Sequence, residues 1–412
     1  MTLFRSEIRL PFPSEKIVIV GAGQAGGRAA EALRANGFAG AITVIGDEPH
    51  PPYERPQLSK AMLATRDAAA TYLRPSEDWR QSLDVNLVTA TSAVACDADR
   101  RIVTTADGRD FAYERLLLAT GTRPRCLAVL GDDGPPRHYL RNIEDAVRFR
   151  QRLQPQARIV IIGGGVIGLE AACAAVKHGC IVTVIEAEQR LLTRAFPAIV
   201  SDVVAAAHRD RGVEFIFGAT VVGSGGSFVR LGSGREIPAD EVLVGIGVEP
   251  ADAIARQIGL SVDGGIAVDA RGQTAAPDVY CAGDAALQWS RCHDRAIRVE
   301  TWANAQNQAI NVAKSMVGQG VDYVDPPWFW SDQYDLNIQV VGDLRDADLI
   351  QRGRPDDRRF SVMAMRDGNL VGAICINAAK DMAMLRRLVA QQARVTPGDL
   401  ESPQYDLRRA LK

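Results

Sequence analysis

RIVIIGGGVIGLEAACAAVKHGCIVTVIEAE, residues 158–188, decides how the chain is read. It opens on an unbroken apolar run, Ile159 to Ile162, as a strand buried on both faces of a parallel sheet must. Gly163-Gly164-Gly165-Val166-Ile167-Gly168 follows at once. In this spacing Gly163 permits the tight turn, Gly165 lets backbone approach a pyrophosphate, and Gly168 lets the helix pack closely on the strand. The helix that starts there aims its free N–H groups and its positive dipole end at the phosphates. A second apolar run, Ile181 to Ile185, ends in Glu186, placed to accept hydrogen bonds from an adenosine ribose. A 2′-phosphate would meet that carboxylate, which favours NADH over NADPH; Arg190 and Arg194, a few residues on, argue the other way.

The same design stands near the N-terminus as KIVIVGAGQAGGRAAEALRANGFAGAITVIGDE, residues 16–48. Ile17 to Val20 is the strand, Gly21, Gly23 and Gly26 are the turn glycines with Ala25 between them, and Ala41 to Ile45 is the second strand. Asp47 or Glu48 lies beyond it, in range of a ribose. Two cradles imply two dinucleotides, and the useful pairing is FAD with a nicotinamide. Further stretches separate that pairing from a site merely duplicated. Tyr113 to Leu118 is an apolar strand ending in Ala119-Thr120-Gly121, and Asp240 to Val244 is a similar strand ending in Gly245-Ile246-Gly247. TAAPDVYCAGDAA, residues 274–286, ends a strand in Gly283-Asp284, with a helix expected to start there. In that setting Asp284 bonds a ribityl hydroxyl while the helix N-terminus faces a flavin phosphate.

The bulk properties exclude much else. A chain of 412 residues is too long for one comfortable core, so two or three domains are expected. The net charge of −2 gives no reason to propose nucleic acid or an anionic membrane as partner. No run reaches about 18 apolar residues, and the N-terminal MTLFRSEIRLPFPSEK mixes Arg5, Glu7 and Arg9 with prolines, unlike a secretion signal. The seven cysteines, at 96, 126, 173, 180, 281, 292 and 375, include no C-x-x-C pair. That spacing suits a reducing cytoplasm and argues against a redox dithiol or a metal site. The five histidines show no metal spacing, and none is assigned a catalytic role. RPDDRRF, residues 354–360, reads as a solvated loop.

In this order the motifs resemble the FAD-dependent pyridine nucleotide-disulfide oxidoreductase superfamily, without the dithiol of its glutathione and thioredoxin reductase branches. Three stretches are similar to segments of the NADH-dependent ferredoxin reductases that serve ring-hydroxylating dioxygenases and bacterial cytochromes P450. They are PYERPQLSK (52–60), VETWANAQNQA (299–309) and PPWFWSDQYDLNIQVVGD (326–343). Gln57 departs from the family's second proline, with a small effect on loop stiffness expected.

The resemblance implies an α/β, glutathione-reductase-like architecture: two Rossmann-like three-layer dinucleotide-binding domains plus a C-terminal α+β domain. The expected bounds are 1–117 with 248–324 for a split FAD domain, 118–247 for the NADH domain and 325–412 for the last. In the last, the runs at 337–341 and 360–365 suggest an antiparallel sheet, followed by a helix near 379–392.

The resemblance further implies non-covalent FAD at Gly21, Gly23, Ala25, Gly26, Asp47, Lys60, Val94, Ala119, Thr120, Gly121, Arg141, Asp284 and the backbone of Trp302. Asp47 rather than Glu48 takes the ribose there, because Gly46 occupies the place that Glu186 has in the other unit. NADH is implied at Gly163, Gly165, Val166, Ile167, Gly168, Glu170, Glu186 and Gly247. Lys60 and Glu170 correspond to the family's ion pair beside the flavin, with Glu170 near the nicotinamide carboxamide. Trp328 and Trp330 are read either as core or as residues facing the partner, a [2Fe–2S] ferredoxin that feeds a terminal oxygenase. Such a flavin needs no acid-base dyad, since it accepts a hydride and releases electrons singly. Two rivals are an apoptosis-inducing-factor-like flavoprotein acting as an NADH-sensitive interaction switch, and an NADH oxidase or peroxidase. The first lacks a basic patch here, and the second normally carries a redox cysteine in the region of Tyr53 to Lys60, where there is none.

Overall fold

The computed structural model describes residues 15–65, 67–193 and 195–411; the N-terminal stretch and Arg194, on which two readings above rest, lie outside the described residues. The chain divides into two units. The first comprises residues up to Glu54, Thr71–Thr122 and Pro250–Asp325, and the second Arg55–Ala70, Arg123–Glu249 and the chain from Pro326.

In the first unit the run Ile17 to Val20 is apolar throughout because both its faces are covered. Ile17 and Ile19 pack beneath the helices Gln24–Ala35 and Trp302–Met316. Val18 and Val20 turn the other way and meet Cys96 and Val103 of a three-stranded antiparallel sheet. The central strand Lys16–Val20 pairs in parallel with Ala41–Ile45 on one side and Arg115–Leu118 on the other. Val85–Val88 and Val279–Cys281 complete this five-stranded sheet at its two edges.

The expectation of a helix at Asp284 is corrected. A turn and the strand Ala286–Ser290 follow Gly283-Asp284, and the next helix begins only at Trp302, capped by the Thr301 hydroxyl, which accepts from the Asn304 N–H. The reason is periodicity: in ALQWS Ala286 and Gln288 are buried while Trp289 is exposed, the alternation of a strand.

The second unit repeats the plan. Its parallel sheet runs Glu214–Ile216, Ile181–Ile185, Arg158–Ile162, Glu241–Val244, Arg137–His138, so its central strand again has the strand after the helix on one side. Val160 and Ile162 meet Val229, Leu231 and Ile237 of a three-stranded antiparallel sheet. After Pro326 comes a five-stranded antiparallel sheet in the order Trp328–Gln333, Leu336–Gly342, Asn369–Ile376, Arg359–Arg366, Asp348–Arg354. The helix Ala379–Ala390 packs against two of these strands. Buried Ile338, Val340, Val362 and Ile374 share a core with Val200 and Val204 of the helix Ala198–Arg209. Among the described residues no helix is long and apolar enough to cross a membrane, and no group of three or more His, Cys, Asp or Glu could hold a metal ion.

Candidate functional site

In both units the glycine turn lies at the carboxyl end of the central strand, where the neighbouring strands diverge and ligands of open α/β sheets bind. In the first unit Gly21 has φ +117°, and a Cβ there would overlap the Ala119 carbonyl. A Cβ on Gly26 would overlap the carbonyl of Gly21, so only glycine lets helix and strand close up. Helix Gln24–Ala35 starts at Gly23 with no side-chain cap and no acidic residue in its first turn. Its leading N–H groups are left for an anion.

Around this turn Gln24 Oε1, Thr91 Oγ1 and Thr120 Oγ1 are buried without a partner. A ligand rich in hydroxyls and phosphates supplies what these oxygens lack, and FAD is such a ligand. Gly283 rests against the start of the same helix: its N–H donates to Gln308 Oε1, and a Cβ would come within 3.0 Å of Ala25 Cβ. That contact carries Asp284 to the cradle. Asp47 is exposed beyond its strand, whereas Glu48 accepts the Tyr53 hydroxyl at 2.6 Å. Val94 stands half-exposed on the antiparallel sheet, its carbonyl accepting from Gln257, while Thr91 donates its N–H to the Gly46 carbonyl at the strand end. Among the other FAD positions, Lys60 and Arg141 belong to the second unit, where Arg55 donates to the Arg141 carbonyl at 2.6 Å.

The second cradle is open at its middle glycine: a Cβ on Gly165 would meet nothing within 4 Å, the clearance a pyrophosphate needs. The helix Val166–Lys177 again begins without a side-chain cap, with Ile167 exposed in its first turn. A Cβ on Gly168 would overlap the Gly163 carbonyl. Both oxygens of Glu186 are held, Oε2 by the Gly164 N–H at 2.6 Å and Oε1 by the Glu188 N–H at 2.9 Å. The carboxylate is therefore fixed at the turn. Arg190 is turned to the Phe196 carbonyl and the Ser201 hydroxyl instead. Gly247, φ +104°, closes the neighbouring strand end, its carbonyl accepting from the Arg125 N–H.

Glu170, one turn into that helix, is 3% exposed. A carboxylate so deeply buried must be paired and hydrogen-bonded. Lys60 Nζ stands 3.1 Å from its Oε1 and 3.1 Å from Asp332 Oδ2. Ser59 donates to Oε2 at 2.5 Å and Ser331 to Oε1 at 2.6 Å. The stretch WFWSDQ lies in a strand, so its side chains alternate between two faces. Phe329, Ser331 and Gln333 face inward; Trp328, Trp330 and Asp332 face the other way. Trp328 and Trp330 stack at 5.4 Å between centroids, Lys60 Nζ lies 5.7 Å from the Trp330 ring, and the Arg386 guanidinium covers Trp328 at 4.2 Å.

Ser59, Asp332, Ser331 and Gln333 were quoted in the motifs without a role; the signal for Ser331 and Gln333 was two polar residues at strand spacing after an aromatic run. His208 had none. No cysteine is in a disulfide. Burial pushes the thiols of Cys173 and Cys375 up to about 12, far from the thiolate that redox chemistry needs.

Residues 15–309 match the family described as pyridine nucleotide-disulphide oxidoreductase, and residues 328–411 match the one described as reductase C-terminal. Among curated relatives, the ferredoxin–NAD(+) reductase component of the p-cumate 2,3-dioxygenase system of Pseudomonas putida is 43% identical over 397 residues, 95% of this chain and 98% of that protein. Among solved structures, the ferredoxin reductase for the CYP199A2 system of Rhodopseudomonas palustris superposes with TM-score 0.92 at 34% identity, over 97% of this chain and 100% of its own. Putidaredoxin reductase, in its covalent complex with putidaredoxin, superposes with TM-score 0.93 at 34% identity, over 97% of this chain and 98% of its own.

Proposed function

The chain belongs to the pyridine nucleotide-disulphide oxidoreductase family, and from that membership we propose that it is an NADH-dependent ferredoxin reductase. It takes a hydride from NADH onto FAD and passes electrons to a [2Fe–2S] ferredoxin that feeds an oxygenase. One observation carries this reading: two complete glycine cradles occur in one chain with no dithiol through which electrons could leave. FAD, when bound, accepts two electrons together as hydride and gives them up singly.

The residues of the chain bind, orient and tune. Gly21, Gly23 and Gly26, with the uncapped helix behind them, hold the FAD pyrophosphate. Asp47 takes the ribose, while Thr91, Thr120 and Asp284 offer oxygens to the remaining hydroxyls. Gly163 to Gly168 and Glu186 hold NADH, and Glu186 repels a 2′-phosphate. Lys60 pairs with Glu170 at the nicotinamide end of the second cradle, with Asp332 as its outer partner. Trp328 and Trp330, stacked and only partly buried, face the ferredoxin. The cysteine usage, with no C-x-x-C pair, supports a cytoplasmic location.

The cofactor is tested first. The purified chain should be yellow and release one FAD per chain on denaturation without proteolysis. A chain that stays colourless after incubation with FAD would remove the basis of the reading.

A further inference from the structure

Behind Glu170 runs a line of buried polar side chains for which hydride transfer itself has no use. Ser331, Gln333 and His208 are each fully buried, amid the apolar core that joins the C-terminal sheet to helix Ala198–Arg209. Ser331 donates to Glu170 Oε1 at 2.6 Å, Gln333 Nε2 to Ser331 Oγ at 3.1 Å, and His208 Nε2 meets Gln333 Oε1 at 3.0 Å. The Tyr334 hydroxyl lies 3.4 Å from His208 Nδ1.

The direction of every bond follows from the end of the line. A carboxylate only accepts, so Ser331 spends its single proton on Glu170 and must itself accept from the neighbour. That fixes the Gln333 amide with its NH2 toward Ser331 and its oxygen toward His208. His208 then carries its proton on Nε2, leaving Nδ1 bare to accept from Tyr334. All four donors point toward Glu170. Tyr334 is held for its part by an unusual backbone, φ +55°, with its ring edge-on to His208 at 4.8 Å between centroids.

We infer that His208 is a positioning residue: through Gln333 and Ser331 it polarises a one-way line of hydrogen bonds that holds the Glu170 carboxylate oriented beside Lys60. The inference rests on the proposed function for what Glu170 does, but the line has consequences that need no ferredoxin. The groups facing its two ends are Lys60 and Asp332 at Glu170, and Cys173, Tyr334 and Arg211 at His208. Burial holds the His208 imidazole neutral at pH 7, consistent with a ring that acts as a dipole and not as a charge.

Nitrogen-15 NMR of the FAD-loaded, histidine-labelled protein reads the tautomer directly, the His208 signal being assigned by its loss in His208→Gln. The expected result is a neutral ring protonated on Nε2 at pH 7, whose resonance shifts in Glu170→Gln although two side chains separate the residues. A ring protonated on Nδ1, a charged ring, or no shift in Glu170→Gln overturns the proposal. In stopped flow, His208→Phe should slow flavin reduction at saturating NADH by about threefold to tenfold, the scale of one lost hydrogen bond between neutral groups. NADH affinity should stay within about twofold, since the cradle itself is untouched. His208→Gln keeps a donor at the Nε2 position and should recover most of the rate. Equal losses in the two variants would mean that the ring only fills space, and the proposal fails. If His208→Phe does not fold, the tautomer and the Glu170→Gln shift decide alone.

Discussion

Lys60 shows what a single residue can be asked to do. Its ammonium lies 3.1 Å from both Glu170 and Asp332, yet only Glu170 is buried. Replacing Lys60 by methionine leaves a buried carboxylate without its cation, and the cost should be on the order of 3 kcal/mol. Urea midpoints measure it, and Asp332→Asn, at an exposed partner, should cost far less. His208 adds a pH dependence. Burial, against the opposing hydrogen bond to the Gln333 oxygen, takes its pKa from 6.5 down to about 4. The unfolded chain therefore binds a proton over that interval that the folded chain does not. The folded state is favoured fully above pH 6.5 and loses stability as pH falls from 6.5 to 4, by up to about 1.4 kcal/mol per pH unit. Midpoints measured across that range should fall more steeply for the unchanged protein than for His208→Gln; parallel falls would refute the assignment. Lys60 and Glu170 were legible through the resemblance their motifs carry. His208 was not, because it lies far along the chain from both, in a helix whose other buried residues are mostly small and apolar.

At the scale of elements, strand, glycine turn and helix were the most readable parts, since each is specified within some thirty residues by period and by glycine. The strand Ala41–Ile45 and the C-terminal runs were found where their apolar patterns put them. One misreading has a local cause. Gly283-Asp284 follows a buried strand as a dinucleotide turn does, but the alternation after it is that of another strand.

The Glu186 loop makes a prediction of its own. Its two backbone hydrogen bonds hold the carboxylate at the turn, and we propose that it meets the ribose there. Glu186→Gln should weaken NADH binding by about tenfold or more, the value of a charge-assisted bond, and narrow the preference over NADPH. Titration of the flavin absorbance with each nucleotide measures both. An unmodified protein that binds NADPH more tightly would contradict the assignment.

For the whole molecule, the duplication of one cradle within 412 residues is the main finding. It was legible because both copies obey the same spacing, and it is what made two cofactors the natural reading. The face we propose for the partner was less legible, because WFWSDQY mixes two faces in one strand and only the register separates them. Trp330→Ala should leave reduction by NADH nearly intact while slowing ferredoxin reduction by the pre-reduced protein. Added salt should slow that second step in both proteins if charged side chains such as Arg386 steer the encounter. A loss of hydride transfer with ferredoxin reduction unchanged would put Trp330 on the wrong side of the reaction.

The central claim, that hydride enters from NADH and single electrons leave to ferredoxin, meets its most direct test in sequential mixing without oxygen. The FAD-loaded protein is reduced with one equivalent of NADH and then mixed with an oxidised [2Fe–2S] ferredoxin. The account predicts that the flavin band bleaches on the first mixing and returns on the second, as two ferredoxins are reduced for each NADH consumed. A flavin that bleaches but stays reduced beside oxidised ferredoxin, and recovers its colour only when oxygen is admitted, would contradict it.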